Sequence, residues 1–160
     1  MAHYATDAEL LRELPATLPE SLDTEAERAP FIQSASALAD ALVGPRFMSR
    51  DDGQKFPDAD DTPATPPLVA FATCRLAASF VYDVLAGLGD DTKRVRAGEL
   101  FDIALAWFAR IRSGEVPVIG VDGQPWPVAP LIASTTQFAE PVFERDTDAE
   151  RPEMPTLDEF

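Results

Sequence analysis

By number alone, the carboxylates of this chain are the residues best placed to do chemistry. There are 28 Asp and Glu against 13 Lys and Arg, a net charge of −15. Five aspartates fall in residues 45–66, where Asp51-Asp52-Gly53 is followed by Asp58-Ala59-Asp60-Asp61. Close-set aspartates beside a glycine suit a hard cation such as calcium, which needs several oxygens around one turn. The spacing does not make an EF-hand loop, however, and no glutamate stands at the twelfth position. These aspartates therefore read as a solvated acidic loop. Other reactive types are scarce. His3 is the only histidine and Cys74 the only cysteine. No His–carboxylate or Cys–His pair can be assembled, and zinc lacks ligands. Cys74 lies in an apolar stretch and reads as a small buried hydrophobe. Glu99 and Asp102 share a helix face, but Arg96 stands three residues before Glu99. That is the spacing of a surface ion-pair ladder rather than an acid–base pair. Neither GxxxxGK[ST] nor GxGxxG occurs. The expectation is a chain that is not an enzyme and takes no cofactor or metal.

Two central helices must position everything else. The first, Pro67–Ala86, reads PLVAFATCRLAASFVYDVLA; the second, Asp91–Ser113, reads DTKRVRAGELFDIALAWFARIRS. Gly87-Leu88-Gly89-Asp90 joins them and is long enough only to turn the chain back. In the second helix Leu100, Ile103, Ala104, Trp107, Phe108 and Ile111 form one apolar stripe. The first is apolar nearly all round, with only Arg75 and Asp83 charged. Such a helix is either the centre of a bundle or keeps one face for another subunit.

Before this pair, Thr6-Asp7-Ala8-Glu9 is a capping box opening a short helix with Leu10, Leu11 and Leu14, stopped by Pro15. Thr24-Glu25-Ala26-Glu27 is a second capping box. The helix it opens either bends near Pro30 or starts there, and carries Phe31, Ile32, Ala35, Leu38, Ala39 and Leu42 before Gly44-Pro45 ends it. In the acidic loop over 45–66, Phe47, Met48 and Phe56 either tuck back on the bundle or touch a partner. The opening MAHYATDAE has no basic or apolar signal region. The longest uncharged run, Gly123–Ala139, carries Pro125, Pro127 and Pro130, so it is not read as a membrane helix.

After Gly114 the composition changes. Residues 115–160 hold ten acidic residues and two arginines, −8 of the −15, with no helical period. A small hairpin is possible over 118–126 on the Asp122-Gly123 turn. This segment reads as an extended Pro-rich acidic arm. Trp126, Phe138, Val142, Phe143, Leu157 and Phe160 are its anchors for a partner surface. The fold class expected is therefore all-α: an antiparallel bundle of about four helices over 1–114, followed by the arm over 115–160.

These segments together resemble a known family. YATDAELL opens the short helix; SASALADALVGPRF ends its helix in a glycine and an aromatic; TPPLVAFATCRLAASFVYD is proline-led; ELFDIALAWFARIRSGEVPV follows. This order is similar to the head–tail adaptor proteins of tailed phages, also called head-completion or connector proteins. The resemblance covers residues 4–118 and includes no catalytic signature. It implies a helical bundle assembling as a ring, usually twelve-fold, between portal and tail, where it continues the DNA channel. It further implies a portal protein and a stopper or tail-side neck protein as partners, passing DNA without specific binding, no membrane, and a place in the virion neck after assembly in the host cytoplasm. In that frame Asp51, Asp52, Asp58, Asp60 and Asp61 line the channel or face the next ring. The high negative charge agrees, since it repels phosphate backbones. The rival reading from the residues alone is a small acidic cytosolic regulatory or antitoxin-like module that binds a basic protein.

Overall fold

A computed structural model describes residues 3–50, 53–62, 64–87 and 89–129. They form an all-α bundle of four helices: α1 (Asp7–Glu13), α2 (Glu25–Val43), α3 (Pro67–Ala86) and α4 (Asp91–Ser113). Short 3₁₀ turns at Glu20–Leu22 and Gly44–Arg46 lead into and out of α2.

Local chemistry sets the helix ends. At α1 the Thr6 hydroxyl accepts from the Glu9 amide at 3.2 Å, and Glu9 Oε2 accepts from the Thr6 amide at 2.9 Å. Glu27 Oε2 likewise accepts from the Thr24 amide at 2.9 Å. α2 runs from Glu25 with Pro30 inside it, so the helix starts at the capping box and not at the proline. α3 opens on Pro67, whose missing N–H costs nothing at a first helical position. α4 is capped by Asp90, whose carboxylate accepts from the Thr92 amide at 3.1 Å. The Thr92 hydroxyl donates to the same carboxylate at 2.7 Å, and this bond, followed by Lys93, holds the Asp90 carboxyl below the usual carboxylate range. Gly114 ends α4 at φ +81, a left-handed conformation that glycine enters without Cβ strain. The Arg46 guanidinium lies over Gly114, where a Cβ would meet it at 2.5 Å. This places a cation at the negative end of the helix.

The core is organised around α3, which pairs most extensively with α4 and also touches α1 and α2. Twelve of its 20 residues are buried, among them Val69, Leu76, Val81 and Leu85. Leu100, Ala104, Phe108 and Ile111 of α4 pack against it, and Ala35, Ala39 and Val43 of α2 join the same core. Its apolar character is thus mostly spent on being the bundle's centre. α3 is long and apolar enough to cross a membrane by length and composition, and 61% of that apolar window is buried inside the bundle. A buried core helix meets the same criteria.

The compact unit runs to Ala129, past the Gly114 boundary expected from the sequence. Residues 115–129 return to the helices. Val118 is buried, and the Trp126 amide donates to its carbonyl at 2.7 Å. The Gly120 amide donates to the Gln124 carbonyl at 2.8 Å around the Asp122-Gly123 turn. Phe47 and Val128 form an antiparallel bridge, and the Ala129 amide donates to the Arg46 carbonyl at 2.7 Å. These are single bridges, and no named strand occurs among the described residues.

Candidate partner-binding surfaces

The acidic loop is laced to the bundle from the N-terminal side. Tyr4 is fully buried, and its hydroxyl is the hub. It donates to Asp40 Oδ1 at 2.7 Å and accepts from the amides of Lys55 at 3.0 Å and Phe56 at 3.2 Å. Burial, and next the bond to Asp40, hold the phenol well above its ordinary value, so it stays neutral and able to donate. The His3 amide donates to Asp58 Oδ1 at 2.8 Å, and the Ala59 amide donates to the His3 carbonyl at 2.7 Å. The Thr65 hydroxyl closes the loop's far end on the Pro57 carbonyl at 2.6 Å.

Phe56 is the apolar counterpart of that hub. It is fully buried, with the rings of Phe47, Tyr4 and Trp126 at 5.1, 5.6 and 5.8 Å. These are ordinary edge and tilted aromatic geometries, each adding modestly to the area buried. So Phe47 and Phe56 tuck back on the bundle, whereas Met48 stays 60% exposed. Trp126, expected as a partner anchor, is half-buried in its own chain. Its remaining edge lines a shallow cleft with Arg50, Pro57 and Asp61.

The acidic positions have separate fates. Asp58 is partly buried and structural: it accepts from His3, and its own amide donates to Asp61 Oδ2 at 3.0 Å. Asp61 also lies 3.7 Å from Arg50 in an exposed ion pair. Asp60 and Asp61 are exposed. Asp51 and Asp52 lie outside the described residues, as do Phe138, Val142, Phe143, Leu157 and Phe160. Among the described residues no group of three or more His, Cys, Asp and Glu comes together to hold a metal. Cys74 is buried, and burial pushes its thiol up to about 12, far from a reactive thiolate at neutral pH.

Other features were hidden from sequence reasoning. Arg28 is 4% exposed and grips Asp7 with two bonds of 2.7 Å, while its third nitrogen donates to the carbonyls of Leu22 and Asp23. It ties α1, the first 3₁₀ turn and α2 together. On the outer flank of α3 and α4, Phe71 stands edge-on to Trp107 at 6.1 Å. The Arg75 guanidinium lies 3.9 Å from the Phe71 ring centre, and that of Arg110 lies 4.8 Å from the Trp107 ring centre. Phe71 is 39% exposed and nearby Ile103 38%. A cation–aromatic sequence of this kind, held rigid and left open to solvent, has the composition of a protein-binding surface. No protein-family model, no curated protein and no solved structure matches this chain.

Proposed function

We propose that this chain is a structural subunit of a virion neck, a head–tail adaptor that forms a ring between portal and tail and continues the DNA channel. The observation that carries the reading is the order of four helices around a proline-led apolar centre, with the RIRSGEVPV exit from α4. The exposed aromatic flank of α3 and α4 supports it, because a ring subunit needs rigid apolar surface beyond its own core. So does the charge of −15, since a channel wall must let phosphates pass without gripping them. Exposed Asp60 and Asp61 suit such a wall or the face toward the next ring. The portal, a stopper or tail-side neck protein, and further copies of the chain are its partners, with the segment beyond residue 129 docking on the portal or on neighbouring subunits.

Co-expression with the portal protein of the same genome, followed by native mass spectrometry of the purified assembly, tests this. The reading expects a multi-copy complex whose chain number equals that of the portal. A one-to-one complex with a basic cytosolic protein, and no portal complex, would instead support an acidic regulatory module.

A further inference from the structure

We infer that the two opposite flanks of the α3–α4 hairpin are the two halves of one contact between copies of this chain, the Phe71–Trp107 ridge of one copy seating in the Phe80–Phe101 groove of the next. The inference deepens the ring reading and rests on it for closure of the ring. The pairing of the two surfaces is argued from this chain alone.

Phe71 and Phe80 are nine residues apart on α3, and Gly98 and Trp107 are nine apart on α4. At about 100° per residue, each pair falls on opposite sides of its helix. One flank is a ridge. Phe71 and Trp107 meet at 89°, Arg75 and Arg110 cover their outer faces, and Ile103 extends the same side. Because these side chains already hold one another, little rotamer freedom is left to lose on binding. The other flank is a groove of about 360 Å³. Phe80 and Phe101 line it beside Gly98, where a Cβ would meet nothing within 4 Å. Asp83 and Arg94 line it as well. Among the described residues neither of these two makes an ion pair.

The charges select the occupant. The ridge presents Arg75 with Glu13 at 3.5 Å and Arg110 with Glu115 at 2.9 Å, both signs around an aromatic pair. The groove presents one acid and one base, neither in an ion pair among the described residues, around another aromatic pair. Copies that meet this way set Arg110 of the ridge against Asp83 of the next groove. Because the complementary patches lie on opposite sides of one subunit, the contact is head-to-tail. It therefore propagates from copy to copy, as a ring requires, and does not stop at a two-fold dimer.

Disulfide trapping of the full chain tests this. One variant carries Gly98→Cys in the groove and the other Ile103→Cys on the ridge. Gly98 has open space for a side chain and Ile103 is partly exposed, so both fold, while native Cys74 is buried. When the two are mixed and oxidised, the G98C–I103C heterodimer should exceed either homodimer by about tenfold or more, and trapping captures even transient contact. Adding Asp83→Arg to the groove variant should cut the yield about tenfold, and Arg110→Asp on the ridge variant should restore it. Equal homodimer yields, no crosslink, or indifference to the charge reversal overturn the inference. Portal co-assembly reads the neck proposal separately: a portal ring without this crosslink removes only the interface, and the crosslink without a portal complex removes only the neck.

Discussion

The α3–α4 hairpin and the loop side of the bundle both place side chains in the core and are held in different ways. In the hairpin, apolar residues recur at helical spacing, and each buried side chain has neighbours one turn away doing the same work. On the loop side, residues 3–6, 47–65 and 116–129 have no period. They depend on two fully buried groups, the Tyr4 hydroxyl and the Phe56 ring, that gather segments more than 50 positions apart. Periodic packing spreads its stability over many modest contacts. Hub packing concentrates it, so single changes there carry larger consequences than the sequence suggests.

This difference can be broken by experiment, beginning with the largest effect. Ending the chain at Gly114 removes Val118, Trp126 and the bond from Ala129 to Arg46. The shortened chain should lose about 4 kcal/mol or more against one ending at Ala129, measured by urea unfolding. Equal stability would mean that the returning segment is decoration. Phe56→Ala removes the shared ring of the aromatic cluster and should cost about 4 kcal/mol, with hydrogen exchange rising in the loop before it rises in α3. A uniform rise instead would erase the distinction between the two regions. Arg28→Ala strands Asp7 and two carbonyls, for a cost of about 3 kcal/mol by thermal unfolding. Tyr4→Phe leaves the buried Phe56 amide without its partner and should cost about 2 kcal/mol, with little change in α4 protection.

The smallest effect is one of pH. Cys74 and Tyr4 have folded-state values raised, mainly by burial, above their ordinary 9.0 and 10.0. Their neutral forms therefore favour the folded state. That contribution is fully present below pH 9.0 and is lost as pH rises, through about 12 for Cys74 and beyond 10.0 for Tyr4. Melting temperatures followed upward from about pH 8 should fall, and Tyr4→Phe should fall less steeply than the parent over the same range.

The hairpin was legible because its information is local. Pro67, the glycine turn, Asp90 and Gly114 mark the ends of both helices within a few residues of each boundary, and the apolar spacing fills in the rest. Both capping boxes were legible for the same reason. The start of α2 was resolved by Thr24 and Glu27, which outweigh the loss of one amide at Pro30. The loop side was legible only as a choice. Phe47 and Phe56 could be seen as out of place in a polar loop, but nothing nearby in sequence says that Tyr4 receives them. The contact of Trp126 with Phe56 carried no sequence signal, because the two rings lie 70 positions apart. Arg28 carried no signal at all, since a single arginine beside glutamates is ordinary until Asp7 folds onto it. Trp107 reads as part of the α4 apolar stripe, and only the packing shows that Phe71 stands against it with much of its ring in solvent. The acidic positions separate likewise: Asp58 is tied to His3, whereas Asp60 stands exposed.

The central claim is that this chain is a ring subunit of a virion neck. It is tested most directly by averaged electron micrographs of particles produced from the genome that encodes it. The account predicts a closed ring beneath the portal into which the four-helix unit fits, with the Phe71–Trp107 flank of each copy against the Phe80–Phe101 flank of the next. Particles whose neck lacks the chain, or no particle at all, would contradict it.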